Sequence, residues 1–484
     1  MAEASAPEGL VEAMNTEARI ERDALGVMTI PASAYWGPQT ARAVENFPIS
    51  GQRPHPAFVR AMVQIKRAAA LANMDLGRLP REIGRAIVAS ADEVLAGKLV
   101  DQWVVDPYQA GAGTSHNMNT NEVLANRAIE HLGGQRGDYT RVHPNDHVNM
   151  AQSTNDTVPT ALRLIGLELG QELVTTLDGL AGDLLAKGEA FDDILKAGRT
   201  HLQDAVPIRL GQEFTAYGHT VERDTTRIRV AMEPLHEIGL GGTAVGTGLN
   251  ADPAYGERVA LHLGRAVGFT LRPATDLPQA MQSMGDIVGL SGTCRTLAVD
   301  LNKISNDLRL LASGPRTGLG EIRLPAVQPG SSIMPGKVNP VLAEMLNMVC
   351  YQVLGFDLTI AAAAEAGQLE LNVMMPVIAH NVAWMLTILA HASSAFATKL
   401  VRGIEADRER CRYWLERSAA LSTALAPTIG YDEAARLTKE MLATGVGIAE
   451  LAVQQGLLTP AQLEVILDPR AMTSPGIPGA SGSA

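Results

Sequence analysis

A chain of 484 residues is too long for one ordinary hydrophobic core, so two or three domains are expected. Its formal charge of −12 argues against nucleic acid or an anionic membrane as partner, since either needs a basic face, but leaves room for a small anion held by local donors. Aromatic residues make up only 4% of the chain, which suits closely packed helices better than a β-sandwich.

The first residues are polar, with no basic segment followed by an apolar run, and read as a loose tail over 1–18 without a secretory signal. From 19 to 153, an N-terminal domain, turn signals such as Ile30-Pro31, Gly37-Pro38 and Phe47-Pro48 alternate with short helical patterns. Helices are predicted near 57–76 and 81–96. A central domain of long helices follows over 154–407. Leu162, Ile165, Leu169, Leu173, Leu177, Leu180 and Leu184 lie three or four apart, the stripe of one helix. Ile287, Cys294, Leu301 and Leu308 recur every seven residues, interleaved with Leu290, Leu297, Ile304 and Leu311. That is an a/d seam, and it needs parallel neighbours within the subunit or between subunits. Further helical tracts cover 341–363 and 376–401. A C-terminal domain of short helices over 408–484 ends in a Pro/Gly/Ser-rich stretch from Pro475, expected to be mobile. No eighteen uninterrupted apolar residues occur, so no membrane span is predicted. Three widely spaced cysteines, Cys294, Cys350 and Cys411, fit a reducing, cytoplasmic setting as small core hydrophobes.

Four segments interrupt the helical pattern with small polar residues, at 111–122, 143–156, 198–204 and 330–340. Singly, each reads as caps and turns. Gly111-Ala112-Gly113 follows no β-branched strand and lacks the third glycine of a dinucleotide loop. His143 and His147 are four apart, but Pro144 argues against one helix face offering both to a metal. A lone His201 is more often structural than catalytic. Together, however, the segments supply neutral hydrogen-bond donors, a lysine and a few histidines, with no metal or nucleophile-elbow signature. Hydroxyls, amides and an ammonium suit a carboxylate ligand whose charge grows during reaction.

At Gly330–Pro340, GSSIMPGKVNP, the pattern resembles the signature loop of the aspartase/fumarase superfamily. GAGTS and NMNTNEV within 111–123, HVNMAQSTND at 147–156, GRTHLQDAVP at 198–207 and GTAVGTGLN at 242–250 resemble its other active-site blocks in the same order. The resemblance implies a mainly α-helical, three-domain subunit. It further implies a homotetramer with a twenty-helix core, active sites shared by three subunits, a small dicarboxylate substrate and no cofactor or metal. By the same resemblance Ser331 is the base on the C3 proton; a serine is a poor base unless its alkoxide is stabilised, and backbone amides of Gly330 and Gly336 and the nearby Lys337 are expected to do this. Lys337 and Asn339 hold the α-carboxylate. Thr114, Ser153, Thr154 and Ser332 surround the other carboxylate. Asn155, Thr200 and His201 make further contacts, with His201 as proton donor where one is needed. His143, Asn145 and Asp146 fall at a secondary carboxylate site. Within the superfamily, Thr154, the block 365–374 and the ending 472–477 lean to the aspartate ammonia-lyase branch. Gly241-Gly242 leans to class II fumarase, the alternative, and Met375 to neither. A catalytically inactive structural relative is the third reading.

Overall fold

The apolar stripes become helices in the computed structural model, which describes residues 18–478. The helices predicted near 57–76, 81–96, 341–363 and 376–401 are Pro56–Asp75, Arg81–Leu95, Val341–Glu365 and Met375–Lys399. Their ends move by only a residue or two, the usual fraying range. The expected N-terminal tail lies outside the described residues except for Ala18, which opens the strand Ala18–Asp23, and the last part of the expected mobile C-terminus lies outside them as well. Among the described residues, strands form only two-stranded sheets. The longer two are antiparallel hairpins: Ala18–Asp23 with Gly26–Pro31, and Leu195–Thr200 with Gln203–Arg209.

The described chain forms two compact units. One comprises the described residues within 18–174, 226–296 and 351–389. Its N-terminal helices, Pro56–Asp75, Arg81–Leu95 and Thr114–His131, pack around Val63, Ile87, Trp103, Leu124 and Ile129. Trp103 satisfies its buried indole by donating to Thr120 Oγ1 at 3.0 Å. The other unit comprises the described residues within 175–225, 297–350 and 390–478. Its C-terminal short helices close over Leu425, Leu437, Ile448, Leu451, Leu463 and Ile466.

The stripe at Leu162 belongs to the 37-residue helix Thr154–Ala190. The heptad seam lies on Gly285–Leu311, and every a/d position from Ile287 to Leu311 is buried within the single chain. The chain therefore fills this seam itself. Buried polar contacts fix the alignment of Gly285–Leu311 on Val341–Glu365. Ser291 Oγ donates to Asp357 at 2.6 Å, and Ser305 Oγ to the Ala343 carbonyl at 2.7 Å. The numbering rises on one helix as it falls on the other, so the pair is antiparallel. By length and composition, Val341–Glu365 and Met375–Gly403 could each cross a membrane. They differ in burial: 67% of the most apolar window of Met375–Gly403 is buried, against 33% for Val341–Glu365. All three cysteines are buried and unpaired.

Candidate active site

In the first unit, the polar segments converge through their backbones. Ala112 and Gly113 sit at positive φ, 63° and 90°, and turn the chain into the helix Thr114–His131, leaving Thr114 exposed at its N-terminus. The Ala112 amide donates to the Val373 carbonyl at 2.7 Å, which brings the block 365–374 against this turn. A second helix, Thr154–Ala190, begins at Thr154. The Asn117 side chain donates to Thr154 Oγ1 at 3.2 Å, tying the two N-terminal turns together. Both helix starts put the positive end of a helix dipole at this corner, an arrangement suited to a carboxylate.

Ser153 caps the second helix, its Oγ accepting from the Asn155 amide at 3.2 Å. The Asn155 side chain donates to the Ala244 carbonyl at 2.8 Å, which anchors the block 242–250. Asp156 is fully buried and organises this corner. Its carboxylate accepts from the amides of Ser153 at 2.9 Å, Thr243 at 3.0 Å and Gly241 at 3.2 Å. Burial pushes its pKa up to about 6 against those hydrogen bonds. Met375, by contrast, is completely buried and offers nothing to a ligand.

His143 Nδ1 accepts from the amides of Asn145 and Asp146, each at 3.2 Å, and the His143 amide donates to His147 Nδ1 at 2.8 Å. Each histidine thus commits its Nδ1 to a tight turn over Pro144–Val148, with Asn145 and Asp146 exposed on it. Burial lowers the His147 pKa.

In the second unit, Thr200 and His201 occupy the tip of the hairpin Leu195–Thr200 with Gln203–Arg209. Thr200 pairs with Gln203, so His201 and Leu202 form a two-residue turn at φ 56° and 58°. Such turns favour Asn or Gly, and two bulkier residues at positive φ are strained. Strain of this kind collects at functional positions. The strand below is fixed by buried charge: Lys196 Nζ lies 2.8 Å from Glu213 and 3.2 Å from Glu321, and Arg199 lies 2.9 Å from Glu321.

The loop 330–340, in the same unit, closes on itself. The Gly330 amide donates to the Lys337 carbonyl at 2.8 Å, and Asn339 Nδ2 to the Gly330 carbonyl at 2.7 Å. A Cβ on Gly330 would stand 2.6 Å from the Lys337 carbonyl oxygen, so this approach requires glycine. Ser331 Oγ accepts from the amides of Met334 at 2.9 Å and Ile333 at 3.2 Å. The expectation that Gly330 and Gly336 supply these amides is thereby corrected. Gly330 already spends its N–H across the loop, while the chain turns so that the two residues following Ser332 point theirs at Ser331. Ser332 and Lys337 are exposed, and Asn339 is half-buried. Sequence reasoning assigned no role to Lys66, Asn117, Asn149 or Asp156. For Lys66 a signal existed, because it shares a helical stripe with Met62, Ala69 and Asn73, where a lysine is out of place.

Residues 26–355 match the family model described as Lyase, and 421–474 that described as Fumarase C C-terminus. An aspartate ammonia-lyase from a Bacillus species is 50% identical over 466 residues, covering 96% of this chain and all of that protein. A class II fumarate hydratase from Halobacterium salinarum is 51% identical, covering 96% of this chain and 99% of that protein. Among solved structures, a Brucella melitensis protein titled fumarate lyase:delta crystallin, bound to cobalt, aligns with TM-score 0.91 and 51% identity over 95% of this chain and all of that one. Recombinant class II fumarase from Schistosoma mansoni aligns with TM-score 0.92 and 37% identity, covering 94% of this chain and 99% of that one.

Proposed function

The chain belongs to the fumarase/aspartase family of lyases, and from that premise we propose that it is an aspartate ammonia-lyase, converting L-aspartate reversibly to fumarate and ammonia. The observation that carries the chemistry is the pair of amides directed at Ser331 Oγ. A serine is a poor base because its alkoxide is costly, and two donors on the oxygen lower that cost. Ser331 takes the C3 proton, and the electron pair moves into the neighbouring carboxylate to form a dianionic aci-carboxylate. Thr114, Ser153, Thr154 and Ser332 supply donors for that growing charge, with two helix N-termini behind them. Lys337 and Asn339 hold the α-carboxylate. Collapse of the intermediate breaks the C–N bond and releases the amine, which leaves already protonated and needs no general acid. Asn155, Thr200 and His201 complete the contacts, and His143, Asn145 and Asp146 form a secondary carboxylate site. The active unit in this reading is a cytoplasmic homotetramer whose sites draw on three subunits. The exposed position of Thr200, His201 and Lys337 supports such sharing.

Aspartate is favoured over malate by Thr154, where fumarases usually carry a second serine, and by the block 365–374. The second reading, class II fumarase, is favoured by Gly241-Gly242. Purified protein assayed side by side on L-aspartate and L-malate, with fumarate followed by ultraviolet absorbance, separates the two. Faster turnover of aspartate is expected, and faster turnover of malate overturns the assignment. A flat trace on both overturns the lyase reading of this site.

A further inference from the structure

Thr243 carries two local costs. It is a β-branched residue at φ 56°, a conformation such side chains rarely adopt, and its buried Oγ1 meets no hydrogen-bond partner among the described residues. A conformation like this persists only where the surroundings impose it. Here they do so through Asp156, which is buried to zero exposure. One of its carboxylate oxygens accepts from the amides of Gly241 at 3.2 Å and Thr243 at 3.0 Å, and the other from the Ser153 amide at 2.9 Å. The same side chain thus grips the turn 241–243 and the start of the helix Thr154–Ala190. Bonds from Gly242 to Gly239, and from Gly246 and Gly248 to Gly242, shape the loop without tying it to that helix. Among the described residues, the hydrogen bonds that do tie it are the two to Asp156 and one from Asn155.

That last bond sets a polarity. Asn155 Nδ2 donates to the Ala244 carbonyl at 2.8 Å, and a carbonyl can only accept, so the amide must turn its nitrogen to Ala244 and its oxygen away. Asn155 is half-buried, and its Oδ1 takes no hydrogen bond from any described residue. No other hydrogen bond distinguishes the two ends of this amide. We propose that Asp156 is a positioning residue: by clasping the turn 241–243 it holds the Ala244 carbonyl against Asn155 Nδ2, so that Asn155 meets the substrate as an acceptor. An ammonium offers only donors, so this polarity favours an amine at C2. The inference rests on the reading that Asn155 contacts the substrate.

The test sets L-aspartate against succinate, an unreactive four-carbon dicarboxylate with no substituent at C2. It is run well above the Asp156 pKa, raised by burial to about 6, so that the carboxylate is charged. The readout is the preference for aspartate, its KM against the inhibition constant of succinate. Asn155→Leu should lower that preference about ten- to a hundredfold, the range for losing a hydrogen bond to a charged group. Asp156→Asn should lower it too, because an amide accepts at only one of its two ends. The double variant should lose no more preference than Asn155→Leu alone, since both changes remove one interaction. A merely structural role for Asp156 would weaken both ligands alike and leave the preference unmoved. A folded Asp156→Asn with wild-type preference, or additive losses in the double variant, overturns the proposal. Should Asp156→Asn fail to fold, Thr243→Pro decides: proline can neither take a positive φ nor donate to Asp156, while Asp156 keeps Ser153. A lowered preference then supports the clasp, and an unchanged one overturns it. Wild-type turnover of L-aspartate with unresponsive variants sinks the clasp alone. A wild type that does not turn over L-aspartate sinks the functional reading, and calorimetric affinities for L-aspartate and succinate then decide the clasp separately. A wild type that binds neither ligand sinks both.

Discussion

Ser331 shows how much of a residue's chemistry lies in its backbone surroundings. With Met334 and Ile333 donating to Oγ, its oxygen sits where negative charge is already partly compensated. Ser331→Ala removes the proton acceptor but neither the loop closure, which rests on Gly330, Lys337 and Asn339, nor the donors at 114 and 153–154. It should therefore lower kcat by at least about 10²–10³ while binding succinate as tightly as wild type. Steady-state kinetics with calorimetry checks this, and a fully active variant removes Ser331 from the mechanism. The choice of a serine, a lysine and an asparagine in this loop as candidate site residues was legible from the motif. Which amides face the serine was not, because that depends on the turn taken between Ser332 and Lys337, and Gly336 at φ 78° is only one of its determinants.

At the scale of elements, periodicity located the long helices because each must bury a stripe, and i, i+3, i+4 spacing is the direct mark of that burial. The hairpin Leu195–Thr200 with Gln203–Arg209 escaped the same reasoning. Its turn residues, His201 and Leu202, carry none of the Asn-Gly chemistry by which such turns are recognised. The start of Thr154–Ala190 agrees with the cap-and-turn reading of 143–156, while its stripe becomes visible only at Leu162, eight residues on, because its first turns bury polar residues, Asp156, Thr157 and Thr160, against polar partners. Charge joins elements too. Glu93, on Arg81–Leu95, receives Arg127 of Thr114–His131 at 2.6 Å, and this guanidinium holds the carboxyl pKa down to about 2. A carboxylate with a depressed folded pKa contributes stability above its unfolded pKa, near 4.5, and loses it as pH falls toward 2. Thermal unfolding midpoints should drop more steeply between pH 4.5 and 2.5 in wild type than in Glu93→Gln, which has already lost the pair. Equal slopes would show that solvent screens this partly exposed contact into insignificance.

The whole molecule poses a problem that its own core does not solve. The heptad seam of Gly285–Leu311 is filled inside the subunit, so it no longer argues for partners. An open stripe lies instead on Val341–Glu365, where Met348, Tyr351, Leu354 and Leu358 are 64%, 57%, 39% and 71% exposed. Their spacing of three, three and four places them on one side of the helix, opposite the buried Leu346, Cys350, Val353 and Ile360. A long apolar stripe open to water is unstable as a surface and marks a partner site. The homotetramer proposed above, of chains of 51.3 kDa, would bury it and remove that surface in the closed symmetric way common to soluble assemblies. Two substitutions separate the seam from the stripe. Leu301→Asp puts a charge into a fully buried position and should abolish folding, since loss of the leucine alone costs about 2–5 kcal/mol before the charge is counted. Leu358→Asp lies in water in the lone subunit, so the chain should still fold, with a helical circular-dichroism spectrum like that of wild type. In the tetramer the same aspartate would be buried without a partner. Sedimentation at micromolar concentration should therefore give four subunits for wild type and fewer for Leu358→Asp. A monomeric wild type, or a Leu358→Asp variant that stays tetrameric, overturns the assignment of this stripe.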